Sequence, residues 1–578
     1  MSRRAARPLK PRAPQAAARR AAAKHGQRLA PDPRTTRWAL IAITLIAAFL
    51  RLWRPGESPP GLNQDEALGG WISWCLLKTG RDMSGQPWPI FYSHGIGDFP
   101  STLFFYVTLP FQALGGLNVW TTRLPAMVSG ILCVPLIGYV GARMFGPLTG
   151  LVAAAMLAFN PWHLFLSRFG VGAGLCPLFA LLALMLMLKA RLPLADAAEE
   201  PPRPWWAALA GLAAGVACYG FQPLRIYFPL FFAALMVANP IAWKSLAASR
   251  AGRAALILLA LGFAVPFGPL AVRHLVDPAI AHRWQMTRLW ESGTPLPKIA
   301  LLVLQRYAVH FRPRFLFEHG DYYEITNPLE RGAFEWYVLP CMLAGAALLA
   351  ARLRSHASAR ALLALLVIYP AGDLISRYQG VHALRSATGI PALVLLAAFG
   401  ATGAWGRLRS RARAWAAAWA IALTLGAAVC VGDNLTRYFG AMNRRPEVYH
   451  GYHADLLEAT RWLKPRLDHY DAVFCTTIGM NEPFAVTLVG LGYDPRRWFA
   501  EPRDWTTMAG WEVCLRYGKL RFMYDKRWIP DYQRLAADGR PERALFIVRP
   551  GELRLANPVY TVRGPDGREV LWLCEERI

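Results

Sequence analysis

Long apolar runs alternate with short polar interruptions along most of this chain. On a window of about 20 residues, the length that crosses a bilayer as helix, eleven runs stand out. They are 38–53, 123–142, 147–164, 175–188, 205–221, 226–243, 254–272, 336–351, 361–375, 386–404 and 415–431. A further run, 100–114, is apolar and aromatic but short, and it reads as a helix lying along the outer surface. The alternative, a full span, would invert the placement of every basic cluster after it. From about residue 432 the pattern changes. Helical spacing occupies 455–467, and strand-like runs fall at 472–476, 520–524, 544–548 and 559–562. The turn Gly564-Pro565-Asp566-Gly567 leads into a returning strand at 570–573. These elements predict a polytopic α-helical membrane domain over 37–432 and a soluble α/β domain over 433–578, large enough for its own core.

Composition agrees. A 578-residue chain that is 54% hydrophobic and 17% charged is too apolar for a soluble protein of this size. Its net charge of +27 invites a nucleic-acid reading. The distribution argues against one, because Arg and Lys crowd the ends of alternate apolar runs, as the positive-inside rule requires. Residues 1–36 are Ala/Pro-rich and strongly basic, with Asp32 as their one acid. They read as a disordered cytoplasmic tail; a cleaved transit peptide is the weaker alternative, since an apolar span follows at once. With the N-terminus inside, parity places the long loops 54–121 and 273–334, and the C-terminal domain, outside. Ala/Arg-rich usage suggests a bacterium with GC-rich DNA, and so an inner membrane with undecaprenyl-type carriers. Among nine cysteines, none has metal-ligand spacing. Cys475, Cys514 and Cys574 are placed outside, where two of them could form a disulfide.

The residues able to do chemistry sit in the outer gaps. Asp65 and Glu66 follow the rigid approach Pro59-Pro60-Gly61. They are either acids at a helix N-terminus or a general base at the membrane surface, where partial desolvation tunes a carboxylate; the residues alone leave these even. His94 and Asp98 flank a Gly-rich hinge that could orient a substrate, though a solvated loop is the commoner reading. Three separated hairpins each present an arginine: His163 with Arg168, Gln222 with Arg225, and His382 with Arg385. Boundary arginines usually snorkel. Three on the outer side run against the positive-inside bias, which implies an anionic partner, and a membrane-soluble phosphate is the economical one. Asp373 precedes the third hairpin and is placed to pair with one of these arginines. In the second long loop, Asp321 and Tyr322 suit a substrate-covering loop or, equally, a hydrated loop packed under the soluble domain.

In their order, these motifs resemble the lipid-linked-sugar glycosyltransferases of the GT-C fold class, family 39-like. The likeness is to bacterial relatives of protein O-mannosyltransferases and lipid A aminoarabinose transferases. It rests on Asp65-Glu66, Arg123-Leu124-Pro125, Pro161-Trp162-His163 with Ser167-Arg168, Gln222-Pro223-Leu224-Arg225, and His382-Ala383-Leu384-Arg385. The resemblance implies an inverting transfer of a sugar from a polyprenyl-phosphate donor to a hydroxyl acceptor on protein, lipid or glycan. Asp65 would be the base, with Glu66 in support. Arg168, Arg225, His382 and Arg385 would hold the donor phosphate. No cofactor is required for that chemistry, and a divalent metal is left open. One departure is that some relatives carry an acid just after the position of Arg168, where this chain has Phe169-Gly170-Val171-Gly172. A second carboxylate would then come from elsewhere, with Asp98 and Asp321 as candidates. Two other readings compete. A transporter or lipid-handling protein would show internal repeats and interrupted helices near the midplane. A non-catalytic partner in an envelope glycan complex would keep the fold without needing Asp65.

Overall fold

Each of the eleven apolar runs lies largely on helix. The computed structural model describes residues 32–577 except 94, 96–98, 197–199, 279, 281–284, 286, 379, 509, 527, 530–531 and 534–542. Among the described residues, six helices are long and apolar enough to cross a membrane: Pro33–Leu52, Val119–Phe145, Gly172–Lys189, Arg250–Val276, Gly389–Arg411 and Arg413–Arg444. Shorter apolar helices cover Pro147–Phe159, Pro204–Ala217, Trp336–Arg352 and Ala357–Gly372. The expected span 226–243 is not continuous. Leu224–Ala238 and Pro240–Ala248 meet at 90°, because Pro240 cannot donate to the preceding turn and Arg360 bonds the Asn239 side chain at the break. The basic tail also ends earlier than expected. Helix starts at Pro33, where the Asp32 carboxylate caps Arg34 and Thr35 N–H.

The short run after residue 100 forms a 13-residue helix, Leu103–Gly115. At 1.5 Å per residue it reaches only about 20 Å. It packs on the 16-residue helix Gln64–Thr79, where Gln112 Nε2 donates to the Gly70 carbonyl at 2.9 Å.

The C-terminal domain is built on a seven-stranded sheet: β1 (Ala472–Thr476), β2 (Arg503–Met508), β3 (Trp511–Tyr517), β4 (Leu520–Met523), β5 (Arg543–Val548), β6 (Tyr560–Arg563) and β7 (Glu569–Arg577). Their order is β2-β3-β4-β1-β5-β7-β6. β1 lies in the middle, wholly buried, with β4 and β5 parallel to it on either side. The hairpin β2–β3 and the helix Pro483–Leu491 were not expected from the sequence pattern; the helix is buried nearly all round, so it has no polar face to betray its period.

This domain does not close its core alone. One apolar cluster joins Leu62, Trp71 and Leu76 of the first long loop to Leu456, Leu488, Trp498 and Leu545. Trp71 and Trp498 meet edge to face at 5.8 Å, and Trp498 Nε1 donates to the Met83 carbonyl at 2.9 Å. Gly61 sits in the left-handed region at φ +67°, so tight against Tyr452 that a side chain there would strike the Tyr452 carbonyl. None of the disulfides open to Cys475, Cys514 and Cys574 is formed: all three are buried free thiols.

Candidate active site at the junction of the long loops

The helix Gln64–Thr79 opens with a capping box. The Asn63 side chain accepts from Asp65 N–H, and the Glu66 carboxylate accepts from Asn63 N–H at 3.1 Å. Adjacent residues on a helix point about 100° apart, so Asp65 and Glu66 face different surroundings. Glu66 turns inward and is fully buried. Its Oε1 accepts from Arg123 Nε and from Gly170 N–H, both at 2.7 Å, and its Oε2 accepts from Arg123 Nη2 at 2.7 Å. Arg123 uses its remaining donors on the carbonyls of Pro55, Pro59 and Gly61. Glu66 therefore belongs to a saturated buried pair that shapes the Pro59-Pro60-Gly61 approach. Its assignment beside Asp65 as a catalytic carboxylate is corrected, because it has no lone pair turned toward a substrate. Gly170, in the stretch just after Arg168, is a prop beneath Glu66.

Asp65 differs from its neighbours. Asn63, Gln64 and Glu66 are buried, whereas Asp65 is exposed at the helix start. Two other segments approach it. Tyr323, from the second long loop, hydrogen-bonds the Gln64 side chain; burial and then the Asp65 charge raise its hydroxyl above the usual phenol range. Glu482, from the loop between β1 and the helix Pro483–Leu491, is pushed up to about 7 by burial and then by Asp65.

The arginines divide. Arg168 is fully buried and spends its guanidinium on backbone carbonyls. Nη1 donates to Leu50 and Arg51 at 2.9 and 2.8 Å, Nη2 to Arg54 and Ser58 at 3.1 and 2.8 Å, and Nε to Ser58 at 2.9 Å. In place of an anion it meets the partly negative carbonyls at and just beyond the C-terminal end of the helix Pro33–Leu52. The assignment of Arg168 to a donor phosphate is corrected on that ground. His163 is likewise no substrate contact; it is buried with Nδ1 at 2.8 Å from Arg51 Nη2. Arg225 is half-buried, bonded to Ser101 Oγ at 2.9 Å, the Cys218 carbonyl at 3.1 Å and His274. Gln222 is exposed and donates to the Phe99 carbonyl at 3.2 Å. The second and third hairpins touch, since Gly372 lies against Pro223 and the Arg385 carbonyl. The backbone of Arg385 and the turn that carries Arg225 therefore meet at Gly372.

The third hairpin is clamped to the second long loop. Asp321 is buried and accepts from Tyr323 N–H, Tyr378 Oη, Thr326 Oγ1 and Ala383 N–H at 2.8–3.0 Å. Burial raises its carboxyl even so. With four donors engaged, Asp321 is a clamp rather than a substrate ligand or second base, which corrects that expectation. The His382 ring stacks on Tyr378 at 4.3 Å with Nδ1 3.8 Å from Asp321. Burial, then the Arg385 charge, pushes His382 down to about 3, so the ring is neutral and brings no positive charge to a phosphate. Asp373 pairs not with a hairpin arginine but with Arg306, at 2.9 Å, from the helix Leu296–Val309. Tyr322 is half-exposed with the Arg314 guanidinium over its ring at 5.0 Å. His94 and Asp98 lie outside the described residues.

The helical layer and the sheet domain above it now invite comparison. Residues 41–268 match the family model described as dolichyl-phosphate-mannose-protein mannosyltransferase. Two structures of ArnT from Cupriavidus metallidurans, one bound to undecaprenyl phosphate and one apo, superpose at TM-score 0.50 and 15% identity. They cover 94% of this chain and 98% of theirs. The Archaeoglobus fulgidus oligosaccharyltransferase tethered with an acceptor peptide superposes at TM-score 0.50 and 12% identity, over 80% of this chain and 63% of that one. No curated protein sequence matches significantly. The chain has the GT-C fold. Within that GT-C frame, no group of three or more His, Cys, Asp or Glu side chains able to hold a metal occurs among the described residues.

Sequence reasoning missed three residues of this region. Arg306 lies in a helix whose period gave no hint of a buried partner, and Glu482 and Tyr524 lie in a domain with no quotable motif. The strand–loop–helix pattern at 472–491, with Pro483 starting the helix, was the available signal for Glu482. In sheets with parallel central strands, ligands gather beyond the carboxyl ends of those strands.

Proposed function

We propose that this chain is an inverting glycosyltransferase that moves a sugar from a polyprenyl-phosphate carrier to a hydroxyl acceptor at the outer membrane surface. Asp65 removes the acceptor proton. The acceptor oxygen bonds to the anomeric carbon, and the bond from that carbon to the phosphate oxygen breaks, its electron pair leaving with the polyprenyl phosphate. Arg225 and Arg385 hold that phosphate and meet the charge growing on it, while neutral His382 offers a hydrogen bond. The chain lies in a bacterial inner membrane with its N-terminus inside and its site and C-terminal domain outside.

The observation that carries this reading is the contrast at the helix start. Asp65 alone of Asn63–Glu66 is exposed, and it stands where both outer loops and the C-terminal domain converge. The test uses the full chain in lipid nanodiscs with undecaprenyl-phosphate mannose, glucose or aminoarabinose. Release or transfer of sugar is measured for the wild type and Asp65→Asn. Loss of a general base predicts a fall of about 10²–10⁴-fold. Turnover in the folded variant within a few-fold of wild type would remove Asp65 from the mechanism.

A further inference from the structure

The C-terminal domain presents two polar groups whose atoms are buried without a partner. Glu482 is 93% shielded by its 7% exposure, and its Oε2 has no hydrogen-bond partner; the same is true of the Tyr524 hydroxyl. Such groups are costly to leave unsatisfied, and two of them side by side call for a partner, which a bound ligand can supply.

Both lie beyond the carboxyl ends of the parallel strands. Glu482 follows β1 and Tyr524 follows β4, its parallel neighbour. The two interact, since burial and then the Glu482 charge raise the Tyr524 hydroxyl. Glu482 is held in place from both sides. Its backbone takes the left-handed conformation, φ +49°, and Pro483 starts the next helix. One residue before it, Asn481 N–H donates to His453 Nε2 at 3.3 Å, while His453 Nδ1 meets the Leu62 carbonyl at 3.3 Å. A single neutral tautomer makes both bonds, and burial of His453 favours that neutral ring. His453 thus ties the Glu482 loop to the chain three residues before Asp65. Among the described residues, the one charge acting on Glu482 is Asp65 from the first loop, and the titratable groups near it on the sheet, Tyr524 and Cys514, are both raised and stay neutral.

We propose that Glu482 and Tyr524 form, with Asp65, a seat for a polyhydroxylated acceptor, so that the acceptor is a sugar-bearing molecule rather than a serine or threonine side chain. Asp65 takes the reacting hydroxyl, Glu482 accepts from a neighbouring one, and Tyr524 donates to a third oxygen. A peptide hydroxyl satisfies only one of these groups and leaves two buried atoms unmet. This inference rests on the transferase reading above.

The experiment offers methyl glucoside and N-acetylthreonine amide as acceptors to the full chain in nanodiscs with the same lipid donors, at matched concentrations. Transfer to methyl glucoside is expected to prevail. Glu482→Gln and Tyr524→Phe should each lower the ratio of sugar transfer to donor hydrolysis by about tenfold or more, the loss of one hydrogen bond to a charged or buried partner. Glu482→Asp should restore part of it. In parallel, infrared difference spectra on adding methyl glucoside should show a carboxyl response that vanishes in Glu482→Gln. Preference for the threonine amide, or an unchanged ratio in both variants, overturns the proposal. If no donor is turned over, the infrared response decides. Its presence keeps the sugar seat and removes the transferase reading; its absence removes both.

Discussion

Replacing Glu66 by glutamine tests whether the two adjacent carboxylates have separate jobs. Glu66 accepts four hydrogen bonds, two of them from Arg123 and two from backbone N–H groups of Asn63 and Gly170. Glutamine keeps the shape but turns an NH₂ group toward at least one donor and leaves the Arg123 charge unpaired in a buried site. Breaking such a pair costs about 3–5 kcal/mol. The strain falls first on the Arg123 contacts with Pro55, Pro59 and Gly61. Amide hydrogen exchange of the full chain in nanodiscs reads this directly. At about 1.4 kcal/mol per decade, the lower bound predicts exchange about a hundredfold faster in the segment 57–66. Asp65→Asn should leave the same amides within about threefold of wild type, because that side chain faces outward. A change below about fivefold in Glu66→Gln would refute the idea that this pair shapes the loop.

Further outcomes follow from the same geometry. Arg168→Gln should lower the thermal unfolding temperature while the folded fraction binds undecaprenyl phosphate within about threefold of wild type; Arg385→Gln should weaken that binding about tenfold or more. Equal effects on binding would return Arg168 to the phosphate site. Gly61→Ala meets the Tyr452 carbonyl at a positive φ, so protease cleavage within the C-terminal domain should quicken; unchanged cleavage would contradict the close docking. Asp455 is buried against ionisation, yet His450 and Arg549 outweigh that and hold its carboxyl below the usual range. Its folded value is depressed, so its contribution is full above the ordinary carboxylate range and is lost as pH falls through the folded value. Thermal melts should therefore show stability declining below about pH 4, with the decline reduced in Asp455→Asn.

Legibility in the sequence followed the range of the interactions. Apolar periodicity located the helices, since burial in lipid or protein leaves a local mark. Asp65-Glu66 stood out as a pair, but nothing local separates them: Glu66 is defined by Arg123, 57 positions away. Arg168 was misread because its partners are main-chain carbonyls at the end of the Pro33–Leu52 helix, and carbonyls leave no trace in side-chain pattern. Asp321 failed as a ligand for the same reason, with two of its four donors being N–H groups. Glu482 was invisible because its place beside Asp65 depends on how two distant segments dock through His453.

The meeting of Trp71 with Trp498 has a bearing on how this architecture can be altered. A graft that exchanged residues 433–578 alone for those of a relative would leave Leu62, Trp71 and Leu76 facing a foreign surface. The transplantable unit is the outer half of the machine taken together, the stretch 55–88 with the sheet that rests on it. Chimeras cut at the last helix should aggregate, and those that carry both pieces should fold.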